Sequence, residues 1–124
     1  MPPTFGNGKI CYIVIPAKDA AASADFYSKS FGWSIRERSD GSVAFDDGVG
    51  EVSGTWVEGL PPHAEQGLVI HVMVDDARKT LDLIVVNGGE IVQPIAKDAP
   101  EITALFRDPA GNVLGIYQHR SSRG

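Results

Sequence analysis

Phe106-Arg-Asp-Pro-Ala-Gly-Asn-Val-Leu-Gly-Ile-Tyr-Gln118 reads as the end of one strand, a tight turn and a second strand. Pro109 fixes φ near the value that the first corner of a turn needs, and Gly111 and Asn112 tolerate positive φ, so the chain can reverse there. Val113 to Tyr117 is apolar and partly β-branched, which favours a pleated, buried strand. Working backwards from this hairpin, Glu101–Phe106 and Glu90–Ile95 are strands separated by a turn from Ala96 to Pro100. Gly88-Gly89 stops a helix that Asp76 caps and that buries Leu81, Ile84 and Val85. Leu68–Val74 is the strand before that helix.

The first half repeats this order. An irregular arm over residues 1–8 leads into Lys9-Ile-Cys-Tyr-Ile-Val-Ile-Pro16, a buried strand ended by its proline. Asp19 precedes Ala-Ala-Ala and caps a helix on which Ser23, Phe26, Tyr27, Ser30 and Phe31 share one face. Gly32 stops it. Trp33–Arg38, Ser42–Phe45 and Glu51–Val57 are strands, with turns at Ser39-Asp40-Gly41 and Asp46-Asp47-Gly48. Laying Asp19 on Asp76 puts Ala20 on Ala77, Phe26 on Leu83 and Gly32 on Gly89. Both halves therefore read strand, helix, strand, strand, strand, a repeat that rests on element order and spacing.

The expected fold is α+β. Two βαβββ modules, about 9–57 and 68–118, flank a linker over 58–67 in a single domain, 1–124. They form a curved, mostly antiparallel, eight-stranded open barrel with a cleft. A helix covers one face of each sheet, and the uncovered faces can curve around that cleft. A ferredoxin-like dimeric barrel is the second architecture considered; it has too few strands per half.

Bulk properties limit the function classes. A chain of 124 residues, 43% hydrophobic and 22% charged, can bury a core without disulfides. A net charge of −5 with scattered basic residues argues against nucleic acid, whose phosphates demand basic patches. Arg120 and Arg123 read as a solvated tail. The lone Cys11 precludes an intrachain disulfide and reads as a small buried hydrophobe, with only Lys9 nearby to activate it as a thiol. No apolar run approaches a membrane span and no signal peptide is visible, so a cytoplasmic protein with no membrane partner is expected.

Two stretches, Ser-Ala-Asp-Phe-Tyr-Ser-Lys-Ser-Phe-Gly-Trp at 23–33 and the Asp-Pro-Ala-Gly-Asn hairpin at 108–112, resemble motifs of the glyoxalase/bleomycin-resistance/dioxygenase superfamily, the vicinal-oxygen-chelate fold. The resemblance covers nearly the whole chain and implies the same paired βαβββ architecture. It also implies a homodimer with clefts near the interface. Metal-using members of that family take ligands from the first and last strand of each module. Carried over by position, these fall on Tyr12, Val69 and Gly115, where the family's glutamate would stand three residues beyond Asn112. The fourth has no fixed place: Gly54 and Trp56 are candidates and neither ligates, while Glu51 and Glu58 lie near the ends of that strand. Valine and glycine carry no side-chain donor atom and tyrosine is a rare ligand, so no metal and no cofactor are expected. That argues against glyoxalase I or extradiol dioxygenase chemistry.

Strand alternation then gives the expected cleft wall. Tyr12 and Val14 face it from the first strand, together with Ile10. Val69, His71 and Met73 face it from the second module's first strand, and Gly115 and Tyr117 from the last, beside Val113. Trp56 joins them. Cys11, Ile13, Ile15, Leu68, Ile70 and Val72 face the helices. Such a wall, apolar and aromatic with a few polar tips, suits a small-molecule ligand. Tyr12 and His71 are the candidate catalytic groups. Tyr12 and Tyr117 are otherwise large core residues with one satisfied hydroxyl, and His71 a histidine satisfied within the sheet. His63 reads as an exposed, flexible linker residue, and Asp75, Asp76 and Asp108 as a helix cap, its neighbour and a turn former. The expected function is metal-independent binding of a small, partly aromatic molecule. The alternative is a lyase- or isomerase-like enzyme using Tyr12 or His71 in the same cleft.

Overall fold

The computed structural model describes residues 3–64, 67–96 and 101–118. Its elements follow the expected order: β1 (Tyr12–Ala17), α1 (Ala20–Phe31), β2 (Ser34–Glu37), β3 (Val43–Asp46), β4 (Ser53–Glu58), β5 (His71–Met73), α2 (Ala77–Val86), β6 (Glu90–Gln93), β7 (Ile102–Arg107) and β8 (Val113–Gln118). They form two four-stranded sheets of identical topology, β1-β4-β3-β2 and β5-β8-β7-β6. In each sheet the first strand runs parallel to the last, and the remaining pairs are antiparallel. The sheets are curved and open rather than closed into a barrel. Apart from Ala96, the turn expected up to Pro100 lies outside the described residues, as do Arg120 and Arg123. No helix among the described residues is long and apolar enough to cross a membrane.

The helices begin where the aspartates predict. Asp19 accepts from the backbone N–H of Ala21 at 3.0 Å and of Ala22 at 3.2 Å, and Asp76 accepts from that of Lys79 at 3.1 Å. Each helix draws a further acceptor from the last residue of its own module. Glu58, ending β4, accepts from Ala20 N–H at 2.9 Å, and Gln118, ending β8, accepts from Ala77 N–H at 2.7 Å. The internal repeat therefore extends to the capping hydrogen bonds, which satisfy donors that a helix start leaves open.

At the other end the two helices differ. Gly32 caps α1 in the left-handed region at φ 75°, whereas α2 ends earlier, at Asn87, and Gly88 takes the positive φ. Gly89 is instead required by packing, since a Cβ there would lie 2.7 Å from Ile84 and 2.9 Å from the Arg107 carbonyl.

One core joins both modules. Tyr27 stacks on Trp33 at 4.7 Å, Trp33 on Phe45 at 4.5 Å, and Phe45 meets Trp56 at 4.8 Å. Phe26 and Phe31 on α1 reach Phe106 on β7 at 6.1 and 5.6 Å, carrying the aromatic cluster across the seam. Rings in offset and edge-on contact contribute beyond their area burial.

Several expected orientations are corrected. The strand starts at Tyr12, not Lys9, so Cys11 lies before the sheet and is exposed rather than buried. Leu68 likewise precedes β5 and is 84% exposed instead of packing under a helix. Val85 is exposed, and α2 buries Ala77, Thr80, Leu81 and Ile84. Phe26 is 1% exposed while Leu83, its counterpart by offset, is 43% exposed, so the repeat preserves elements but not every packing position. Trp56 is also misassigned. It pairs with core-facing Ile15, is 3% exposed and packs against Tyr27, so it faces α1 and not the cleft.

Candidate ligand-binding face

Each sheet keeps one face that its helix does not cover. On the first sheet, strand pairing sets Tyr12 beside Ser53, Val14 beside Thr55, Thr55 beside Ala44, Ser53 beside Asp46, and Ala44 beside Arg36. Alternation puts all of these on the uncovered side. Tyr12 and Val14 stand half-exposed there, as expected. The rest of this wall is more polar than expected. Arg36 grips Asp46 with two bonds, Nε to Oδ2 at 2.9 Å and Nη2 to Oδ1 at 3.0 Å, and the Ser53 hydroxyl donates to Oδ1 at 2.6 Å. The Arg36 bonds, and then the Ser53 bond, hold the Asp46 carboxyl below the usual carboxylate range. Beside this pair, Arg38 Nη2 donates to the Tyr12 hydroxyl, and its Cζ lies 5.9 Å from the centre of the Tyr12 ring.

On the second sheet, His71 pairs with Gly115 and Met73 with Tyr117. A Cβ on Gly115 would lie 2.5 Å from both Cδ2 and Nε2 of His71, so the imidazole lies directly over the glycine. Met73 is 71% exposed, and Val69 is half-buried just ahead of β5.

The seam between the sheets is held by the closing hairpin. Asp108 accepts from Ala110 N–H at 3.0 Å and from Asn112 N–H at 2.9 Å, which shapes the turn. It also accepts the Tyr27 hydroxyl at 2.8 Å and Asn112 Nδ2 at 2.9 Å. Asn112 Nδ2 donates to the Pro16 carbonyl at 2.7 Å, and its Oδ1 accepts His63 N–H at 2.8 Å. Val113 N–H donates to the His63 carbonyl at 2.7 Å. The His63 main chain is thus tied on both sides, and only its side chain matches the exposed linker residue expected. Burial and the neighbouring Asp108 raise the Tyr27 hydroxyl well above its ordinary pKa, so it stays a donor. Alongside this network lies a cavity of about 350 Å³, bounded by Ile13, Val14, Ile15 and Pro16 of β1, by His63, Leu68 and Ile70, and by residues 112–114. Val14 is the one expected ligand-binding residue that lines it.

The sequence profile of the Glyoxalase/Bleomycin resistance protein/Dioxygenase superfamily matches residues 9–116. The chain belongs to this superfamily. A glyoxylase-like domain-containing protein of Didymella fabae is 29% identical, over 89% of this chain and 93% of its own length. Among solved structures, hypothetical protein SA1046 from S. aureus superposes with a TM-score of 0.73 at 16% identity, covering 93% of this chain and 96% of that one. TnmS3, an antibiotic binding protein from Streptomyces sp. CB03234, superposes with a TM-score of 0.69 at 22% identity, covering 93% and 98%.

Within this glyoxalase-superfamily fold the usual metal positions can be tested against the residues present. The offset that lays Asp19 on Asp76 lays Val14 on His71, so the counterpart of Gly115 is the partner of Val14, Thr55. Neither Gly54 nor Trp56 occupies that place, because both face the core. Thr55 spends its hydroxyl on the Val43 carbonyl at 2.7 Å. Val69 and Gly115 have no donor atom, and Tyr12 stands against a guanidinium. Among the described residues no three of His, Cys, Asp and Glu converge. This donor set, with a cation beside it, does not fit a divalent metal.

Arg36, Arg38, Asp46, Ser53 and Thr55 were missed as members of the face. A signal for the arginines was present: Arg36 and Arg38 stand two apart ahead of an Asp-Gly turn, and alternation puts them on one side. Asn112 and Asp108 as a clamp had no such signal, since Pro16 and Tyr27 lie 96 and 81 residues away.

Proposed function

We propose that this superfamily member is a metal-independent binding protein for a small, partly apolar or aromatic molecule held against the uncovered sheet faces. The observation that carries the reading is the His71 imidazole seated over Gly115. Where metal-using members of the family would place a ligating glutamate, this chain has a glycine with an imidazole lying over it. Tyr12, Val14, Met73 and Tyr117 then supply apolar and aromatic surface, and the hydroxyls and His71 supply polar contacts; Val69 and Gly115 shape the floor. TnmS3, of the same fold, is an antibiotic binding protein, which supports a binding role for such a scaffold. Trp56 has no part in it. The exposed Ile10, Leu68 and Met73 favour a homodimer that covers them. The exposed single thiol of Cys11 suits a reducing compartment, and we assign the protein to the cytoplasm.

Two measurements test this. Metal analysis of protein purified without chelator is expected to find no stoichiometric divalent ion; finding one overturns metal independence. Thermal-shift assays with a panel of small aromatic ligands, with and without added metal, are expected to show stabilisation that metal does not alter. His71→Ala and Tyr12→Phe should weaken it. If both variants bind as wild type does, the face is not the site. Turnover of a bound ligand that vanishes in either variant would instead establish the lyase- or isomerase-like alternative.

A further inference from the structure

On the first sheet's uncovered face Arg38 has no ion-pair partner among the described residues, and we propose that it selects a ligand bearing a carboxylate on an aromatic body. The inference rests on the small-molecule-binding reading above and names the ligand class for the same face. Arg36 is already neutralised by its two bonds to Asp46. Arg38 is not. The residue is partly buried, its guanidinium donates to the Tyr12 hydroxyl at the exposed face, and it forms none of the ion pairs found among the described residues. Asp40, in the hairpin turn, spends its carboxylate on Ser42 N–H at 2.9 Å and Ser42 Oγ at 2.7 Å, and the Arg38 charge is a lesser influence on it. Glu37 projects to the opposite side by alternation.

A guanidinium has five N–H donors, and a planar carboxylate matches its fork. One of these donors goes to Tyr12, which leaves the others open to an arriving carboxylate. The geometry supplies the rest of the site. The Tyr12 hydroxyl, having accepted from Arg38, keeps its own O–H to donate to the same anion. The Tyr12 ring and Val14 beside it, both half-exposed, offer an apolar wall for an aromatic ring. In a chain of net charge −5, this local cation also separates anionic ligands from neutral isosteres of equal shape.

The experiment is calorimetric titration of the full chain with 2-naphthoate and 2-naphthamide, which share shape and differ in charge. Wild type is expected to bind the carboxylate about tenfold more tightly, the ratio that one charge-assisted hydrogen bond contributes. Arg38→Met should bring the ratio to about one, with the larger loss on the naphthoate. Arg38→Lys should retain part of it. Circular dichroism checks each fold, and Arg38→Gln replaces the Met variant should that misfold. Equal binding of both probes by wild type, or a preference that survives loss of the guanidinium, overturns the anion inference and leaves the binding reading standing. If wild type binds neither probe, the inference fails together with the aromatic-binding reading it rests on.

Discussion

The hydroxyl of Tyr27, on α1, donates to Oδ2 of Asp108 at 2.8 Å and ties the first module's helix to the turn that launches the second module's last strand. Both groups are buried, so neither has water as a substitute partner. Tyr27→Phe removes one of four donors to Asp108 and should cost about 1–2 kcal/mol, read as a lower urea midpoint at unchanged m-value. Asn112→Ala removes the amide that serves Asp108, Pro16 and His63 together, and should cost more, about 2–3 kcal/mol. An Asn112→Ala chain as stable as wild type would show that the clamp does not hold the seam.

The same pair sets an alkaline limit. Burial, and then the Asp108 charge and hydrogen bond, raise the Tyr27 hydroxyl well above its usual value of 10.0. Once the pH passes the unfolded-state pKa, the unfolded chain gives up this proton more readily than the folded chain and binds fewer protons. Stability from this group is therefore fully present below about pH 10 and is lost as the pH rises towards the folded value. Denaturation midpoints measured from pH 8 to 11.5 should fall more steeply for wild type than for Tyr27→Phe. Parallel curves would contradict the assignment.

Two glycines on the equivalent inner strands of the two sheets, β4 and β8, should respond very differently to alanine. At Gly54 an added Cβ would lie 2.1 Å from the Ile13 carbonyl and 2.4 Å from the Phe45 ring, inside the core. Backbone cannot step aside, so Gly54→Ala should cost roughly 3 kcal/mol or more. At Gly115 the obstacle is the imidazole of exposed His71, which can rotate away, so Gly115→Ala should cost about 1 kcal/mol. Adding His71→Ala should relieve that cost, giving a clear coupling in a double-mutant cycle. Additive effects would mean that the ring does not sit over the glycine.

The helix caps give a smaller test. Asp19 bonds two first-turn N–H groups and Asp76 one. Asp19→Ala and Asp76→Ala should each cost about 1 kcal/mol, Asp19 the more, in thermal or urea unfolding. Neither should change ligand affinity, because both caps lie on the helices outside the sheets.

Much of the architecture was legible because it follows from local periodicity. Alternating β-branched residues, an aspartate before each helix and glycines at the stops define βαβββ twice. Alternation also placed Tyr12, Val14, His71, Met73 and Gly115 on the uncovered faces. The errors fall where a strand begins. An apolar run taken as wholly strand turns Cys11 and Leu68 inward, yet pairing starts at Tyr12 and His71. Nothing local to β4 anchors the side that Trp56 faces, because the register of that strand depends on pairing with β1.

The closing hairpin marks the division. Its sequence alone determines that the chain turns at Asp108 to Asn112 and that Gly115 follows on the last strand without a ligating side chain. Turn chemistry is local, fixed by φ preference and by side chains bonding their own backbone. What fills the space above Gly115, and what Asp108 and Asn112 hold, only the tertiary structure decided. His71, Tyr27, Pro16 and His63 all come from distant segments. Their approach depends on two sheets closing over one core, and no local rule encodes that.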